Sequence, residues 1–302
     1  MKISQLILLI AIVGCLDAKS LINPPSQTNG TCRKLVDSMA EEKGLYCAGL
    51  VRDKVLIITK DDTVFEFPYS NIDEGGNKWN LQDLKGIPLK DKWPSLYNHP
   101  HYAAARQNTF QCFPFVEANR TYLVIETKIM DGAKGVVFDL DRAEVIQQSI
   151  SWAGNDDVVL LSTNIPRTYY QVRRNGIDGA FQITTYKSIS SSILDPGLRI
   201  RNTTKYSNVC KVGGSVYKLV MRPNDDKGCD KLQWSIMMGF VSDKKFYLFT
   251  GSSILLFSEE LYTKKGSEQD AYVVGSGSLL ECGGAVPINK KSKYALLRWP
   301  NV

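Results

Sequence analysis

The sequence predicts an all-β protein built from antiparallel strands, with one short helix near its N-terminus. Three observations carry this. Short runs of β-branched and aromatic residues, bounded by polar turns, recur from residue 46 to the end of a chain of 302 residues. Almost nothing has the i, i+3, i+4 apolar spacing of a long helix. A hydrophobic content of 43% against 23% charged residues is that of a packed globular protein, so the strands have a core to bury.

Residues 1–20 come first. Met1-Lys2 precedes the apolar run Leu6-Ile7-Leu8-Leu9-Ile10-Ala11-Ile12-Val13, and Ala18-Lys19-Ser20 offers small side chains for cleavage after Ser20. One positive charge, a short apolar core and a small-residue site predict a secretory signal peptide. The run is well short of the roughly 20 residues needed to cross a bilayer, and no later segment approaches that length. Ile12-Val13-Gly14-Cys15 also resembles a bacterial lipobox, in which Cys15 would carry a lipid, but the remaining cysteines and the glycosylation sequons weigh against it. The mature chain is expected to be extracellular.

Cysteines and sequons fit that destination. Beyond Cys15 the chain keeps Cys32, Cys47, Cys112, Cys210, Cys229 and Cys282, an even set that can pair completely in an oxidising compartment. None has the C-x-x-C spacing of a zinc or redox site, so bridges are favoured over metal binding. Fifteen connectivities are open to six cysteines, and spacing does not choose among them. Asn29-Gly30-Thr31, Asn119-Arg120-Thr121 and Asn202-Thr203-Thr204 are acceptor triplets, which predicts a glycoprotein with Asn29, Asn119 and Asn202 on solvated turns or strand ends.

Residues 21–45 form an N-terminal extension whose helix is expected over 32–42, with Leu35 and Met39 on one face. A β domain follows over 46–302. Val55-Leu56-Ile57-Ile58-Thr59 turns at Lys60-Asp61-Asp62 into Thr63-Val64-Phe65-Glu66-Phe67, and Tyr122-Leu123-Val124-Ile125 returns as Val136-Val137-Phe138-Asp139. Val158-Val159-Leu160-Leu161 pairs in the same way with Thr168-Tyr169-Tyr170-Gln171-Val172, and Phe246-Tyr247-Leu248-Phe249 with Ile254-Leu255-Leu256-Phe257. Each reads as a hairpin. A turn or two of helix is expected over 139–148, and connecting loops over 86–94 and 188–197. The polar starts of these units fall about 30 to 65 residues apart, bracketing the ~40 to 50 residues of propeller blades, while a sandwich or barrel stays possible on spacing alone.

The segment Asp243-Lys244-Lys245-Phe246-Tyr247-Leu248-Phe249-Thr250-Gly251-Ser252-Ser253-Ile254-Leu255-Leu256-Phe257 resembles a hemopexin-type repeat, an aromatic-rich strand, a tight turn and a second strand ending in an aromatic. Ile254 and Leu255 stand where that family usually has Tyr and Trp, and one unit of four carries the resemblance. It implies a four-bladed antiparallel β-propeller closed by a disulfide between the start of the first blade and the end of the last, positions held here by Cys47 and Cys282. Cys210 with Cys229, a short interval suited to pinning a hairpin, and Cys32 with Cys112 would complete the set.

Charge and chemistry narrow the function. The formal net charge is +6, and the leader removes Lys2 and Lys19 against Asp17. That excess is too mild for nucleic acid but favours anionic glycans or acidic proteins. Only His99 and His101 are present, both in Asn98-His99-Pro100-His101, which reads as a loop; no serine elbow, carboxylate pattern or phosphate loop accompanies them, and no cofactor or metal is expected. Asp61-Asp62, Asp139-Leu140-Asp141, Asp156-Asp157 and Asp225-Asp226 read as turn formers. Lys290-Lys291-Ser292-Lys293 is a candidate glycan-binding cluster, against the plainer reading of a solvated tail. The expectation is a secreted binding module for an extracellular protein or glycan. A secreted hydrolase, or a carrier of a small haem-type ligand in a propeller channel, is the competing class.

Overall fold

A computed structural model describes residues 30–41, 44–74, 76, 78–107, 110–117, 119–129, 132–148, 158–174, 181–188, 198–206, 208–213, 216–220, 230–231, 238–242, 245–250, 253–258, 269–275 and 279–283. The leader, Asn29, Cys229 and Lys290, Lys291 and Lys293 lie outside them.

The chain is mostly β. Helix α1 (Gly30–Ala40) buries Cys32, Leu35, Val36 and Met39, one face at helical spacing, so the N-terminal extension packs into the body of the protein. The first sheet is antiparallel, in the order β1 (Leu45–Val51), β2 (Lys54–Thr59), β3 (Thr63–Pro68) and a later short strand; between them come β4 (Trp79–Asn80) and that edge strand itself, β5 (Gly86–Pro88). Nearly every position of β1 and β2 is buried, because both faces of this sheet are covered. Three short helices follow, α2 (Leu89–Lys92), α3 (Pro94–Tyr97) and α4 (Pro100–Gln107).

These helices correct two expectations. Part of the 86–94 segment is helical, since Leu89 is buried and its N–H is taken by the Asp62 carbonyl at 2.7 Å. His101 lies in the first turn of α4, where Pro100 supplies a fixed φ at the helix start instead of prolonging a loop.

A second antiparallel meander joins β6 (Phe110–Glu117), β7 (Arg120–Ile129), β8 (Gly132–Asp139) and β9 (Glu144–Gln148). Residues 139–148 thus form a turn and a strand, not a helix. Asp139 Oδ1 accepts the N–H groups of Asp141 and Arg142 at 2.9 and 3.0 Å, and Ala143, at φ 55°, turns the chain back so that Glu144 pairs with Asp139 instead of continuing a helix. A third meander runs β10 (Val158–Thr163), β11 (Thr168–Arg174), β12 (Phe181–Ser188) and β13 (Leu198–Tyr206). The last part of the chain supplies β14 (Asn208–Gly213), β15 (Val216–Val220), β16 (Asp230–Lys231), β17 (Met238–Ser242), β18 (Lys245–Phe249), β19 (Ser253–Ser258), β20 (Gln269–Gly275) and β21 (Leu280–Glu281). Strands β17 to β20 form a further up-and-down meander, to whose outer edge β15, β14 and β16 add. The four hairpins read from the sequence are all present, in antiparallel register.

The first strands of the four meanders, β1, β6, β10 and β17, all touch one another, and β10 runs parallel to β17 with Ser162 opposite Phe240. Four buried clusters separate the sheets. Cys47, Leu56, Leu123 and Phe138 join the first to the second; Phe115, Tyr122, Leu160 and Tyr169 the second to the third. Val172, Ile183, Phe246 and Leu255 join the third to the fourth, and Trp79, Phe240, Tyr247 and Phe249 lie between the fourth and the first. Tyr69 and Tyr247 hydroxyls meet at 3.0 Å across that last seam.

The disulfides revise the expected pairing. Cys32 on α1 bonds Cys282 beside β21, with Cα atoms 5.5 Å apart and a sequence separation of 250. Cys47 bonds Cys112 at 5.1 Å, so neither the Cys47–Cys282 nor the Cys32–Cys112 link forms. The reason is that β1 packs on the second sheet: Cys47 faces β6, and it is α1 that reaches Cys282 beside β21. Cys210 is disulfide-bonded as well; its expected partner Cys229 lies outside the described residues.

Candidate functional site

The centre of the molecule is closed at one level. A methyl on Gly49 would lie 2.3 Å from Pro114 Cδ and 2.6 Å from Ser162 Oγ, and Ser162 Oγ accepts the Leu50 N–H at 2.6 Å. A small-ligand channel has no room there, which removes the geometric basis of the carrier reading at this level.

The histidines stack, ring centroids 5.4 Å apart, and the His101 N–H donates to His99 Nδ1 at 3.3 Å. Burial, and then the neighbouring His101, hold the His99 imidazole below its usual range. Beside them a polar latch ties α4 to the β2–β3 turn. Asp62, in the left-handed region at φ 58°, takes the Tyr102 hydroxyl at 2.7 Å and Arg106 Nη2 at 2.5 Å. Burial first, and then its bond to Asp62, push the Tyr102 hydroxyl far above the phenol range. Asp61 is held below the usual carboxylate range: burial works to raise it, but bonds from Lys34, Thr59 and Thr63 outweigh that. Arg33, Lys34, Asp37, Lys60 and Asp61 line a surface groove of about 400 Å³ next to α1. Four of its charges are paired with one another, Arg33 with Asp37 at 3.1 Å and Lys34 with Asp61 at 2.5 Å. The aspartates at 61–62 and 139–141 are therefore parts of turns and ion pairs.

Of the sequons, Asn119 is exposed at the β6–β7 turn with φ 66°, its carbonyl held by Arg52 Nη2 at 2.7 Å. Asn202 is half-buried on β13, and its Oδ1 accepts the Thr203 N–H at 2.9 Å.

One surface differs from all of these. Strands β11 to β13 carry Arg173, Arg174, Lys187, Arg199, Arg201 and Lys205 and no carboxylate. Alternation decides what each face shows. Tyr170, Val172, Phe181 and Ile183 turn into the seam with the fourth sheet, so Gln171, Arg173, Gln182 and Thr184 lie on the opposite face, which packs on the second sheet at Leu160 and Tyr169 and reaches solvent at Arg173, Thr203 and Lys205. Register then sets three rows across the strands. Arg173, Gln182 and Lys205 form the first; Gln171, Thr184 and Thr203 the second; Tyr169, Tyr186 and Ile200 the third. The third row is reached through a bulge that leaves Arg201 without an opposite residue.

Arg173, Thr203 and Lys205 are exposed, and Gln171, Gln182 and Tyr186 are half-buried. Tyr186 Oη donates to Gln171 Oε1 at 2.8 Å, and Gln182 Nε2 to Thr184 Oγ1 at 3.1 Å, which fixes these side chains in the plane of the face. Arg173 and Lys205 stand two strands apart, about 9–10 Å. Neither they nor Lys187, Arg199 and Arg201 have an ion-pair partner among the described residues. Cations on β13 guard an edge strand against pairing, but Arg173 lies two strands inside that edge and has no such duty.

Sequence reasoning missed this face because a chain-wide charge of +6 averages over it. The available signal was local: over 158–206 the only acids are Asp178 and Asp195, neither within a strand.

No family model matches the sequence, and no curated protein matches it. Among solved structures, the chain is similar to Hsv2 of Kluyvelomyces marxianus at 11% identity, covering 72% of this chain and 62% of that one with a TM-score of 0.27. The Dos1 propeller matches at 7% identity over 77% and 59%, with a TM-score of 0.30. TolB from Acinetobacter baumannii matches at 11% over 76% and 54%, with a TM-score of 0.31. The chain spans about three fifths of the length of these structures, and scores of this size assign neither family nor activity. Among the described residues no helix is long and apolar enough to cross a membrane.

Proposed function

We propose that the chain is a secreted, disulfide-stapled glycoprotein whose four meanders make a hemopexin-like four-bladed propeller, and that it works as an extracellular binding module for an anionic partner. The ring is supported by the mutual contact of β1, β6, β10 and β17 and by the four buried clusters that lead from each sheet to the next and back. The Cys32–Cys282 bridge joins the two ends of the described chain, where a closing staple belongs. Export is supported by the leader-like N-terminus, the paired cysteines, which suit an oxidising compartment, and the acceptor triplets at Asn29, Asn119 and Asn202.

Binding is carried by one observation: β11–β13 present exposed cations with no carboxylate on the strands and no ion-pair partner among the described residues. Lys290, Lys291 and Lys293 add charge of the same sign. The test is expression of the full chain in a secretory host, followed by binding of the purified protein to extracellular matrix. Recovery from the medium is expected, with binding that is lost at about 1 M salt, where charges are screened within ~3 Å, and lost in an Arg173→Glu, Lys205→Glu variant. Retention in the cell, or binding indifferent to salt and to both substitutions, overturns the proposal.

A further inference from the structure

Resting on the reading of β11–β13 as an anion-binding face, we propose that its occupant is a sulfated polysaccharide lying across the strands along the row Arg173, Gln182, Lys205. The two cations are about 9–10 Å apart with a neutral amide between them. That is alternation of anion site, hydroxyl site and anion site, which a sulfated sugar chain presents and a compact anion does not. In the adjoining row Gln171 and Thr203 offer further neutral groups beside it, while the buried Thr184 and the Tyr186 hydroxyl orient Gln182 and Gln171.

Other polyanions fit this face less well. A protein interface needs apolar or aromatic anchors at its centre, whereas the exposed large apolar side chain among the described residues of β11–β13 is Ile200, 60% exposed, and it sits in the outermost row. Single-stranded nucleic acid needs exposed rings on which bases stack; Tyr169 is buried, and Tyr186 is half-buried with its hydroxyl engaged. A lipid headgroup would bring an apolar surface, and beside the rows of Arg, Lys, Gln and Thr it meets Ile200 as a single exposed apolar side chain of β11–β13.

The experiment compares elution of the full chain from a heparin column and from a sulfonate cation exchanger, which offers the same charge without sugar. Three variants are used: Arg173→Gln with Lys205→Gln, Lys187→Gln with Arg199→Gln on the opposite face, and Gln182→Leu. Melting curves confirm that each exposed substitution leaves the fold intact. The first variant is expected to weaken heparin binding about tenfold, the value of one strong charge-assisted contact or two weak ones. The second should change it much less, although both lose equal charge and shift alike on sulfonate. Gln182→Leu should weaken binding to heparin and leave elution from sulfonate unchanged. Equal heparin shifts for the two double variants overturn the row assignment. If the first variant weakens both resins equally and Gln182→Leu weakens neither, the face binds anions without reading sugar, and the inference fails while the functional proposal stands. If no variant shifts either resin, both fail.

Discussion

The first two sheets and the third treat charge in opposite ways. Around β1–β9 many of the described cations have a carboxylate: Lys34 with Asp61, Arg52 with Asp141 at 3.1 Å, Lys92 with Glu66 at 2.9 Å, Arg106 with Asp62, and Arg142 with Glu144 at 3.3 Å. These pairs fasten turns and helices to the sheet edges, and the Cys47–Cys112 bridge adds a covalent tie between the two sheets. The sheet of β10–β13 has no described ion pair and no disulfide. It is held by the apolar seams on either side and keeps its cations in solvent. One region uses polar groups to hold itself together; the other has them to spare for something else.

That contrast can be broken by experiment. The largest effect is expected from opening the staple: Cys32→Ser with Cys282→Ser should cost about 5 kcal/mol in the loop-closure model, against about 4 for the shorter Cys47–Cys112 loop. Denaturant unfolding of the two paired variants would show the order, and equal losses would mean that loop length is not what sets the gain. Next, Asp62→Ala should cost about 3 kcal/mol, since it leaves Tyr102 and Arg106 without their shared acceptor. A loss below about 0.5 kcal/mol in the same assay would show that the latch holds nothing.

Gly49→Ala probes where the two regions meet. Contacts of 2.3 and 2.6 Å predict overpacking that costs about 1–3 kcal/mol. A neutral outcome would mean that the contact of β1 with β6 and β10 has room after all. A smaller effect belongs to Lys34→Gln, about 0.2–1 kcal/mol at neutral pH, as for an exposed pair. Because the Asp61 carboxyl is held below its ordinary range, the stability it contributes is complete above the unfolded carboxylate pKa and is lost as pH falls through the folded value. The variant and the parent should therefore converge in acid, and a gap that persists there would point to packing, not charge. His99, also held low, works in the same direction: stability declines as pH falls through the histidine range, because the unfolded chain takes up the proton first. The smallest change is expected at the third sheet, where Arg173→Gln with Lys205→Gln should alter stability by less than about 0.5 kcal/mol. A larger loss would mean these cations serve the fold, and the comparison between regions would no longer hold.

Strand positions were legible wherever a period-two apolar pattern met a polar turn, as in Val55–Phe67 or Phe246–Phe257, because both signals are local. The helix over α1 was legible for the same reason, from Leu35 and Met39 on one face. The short helices between β5 and β6 were not, since Leu89, Leu96 and Tyr102 are single buried anchors too sparse to show a period. The candidate face was partly legible as a stretch lacking acids, but not as a row, because Arg173, Gln182 and Lys205 are neighbours only through register.

The amino-acid order alone thus determined the class of fold, the hairpins, the first helix and the supply of cysteines that could pair. Tertiary structure decided which cysteines meet and which cations share a face. Local pattern fixes the direction in which a side chain leaves its strand, but partners distant in sequence are chosen by the packing of whole sheets. Cys32 therefore finds Cys282 across the molecule, while Cys47, on β1, reaches only the next sheet.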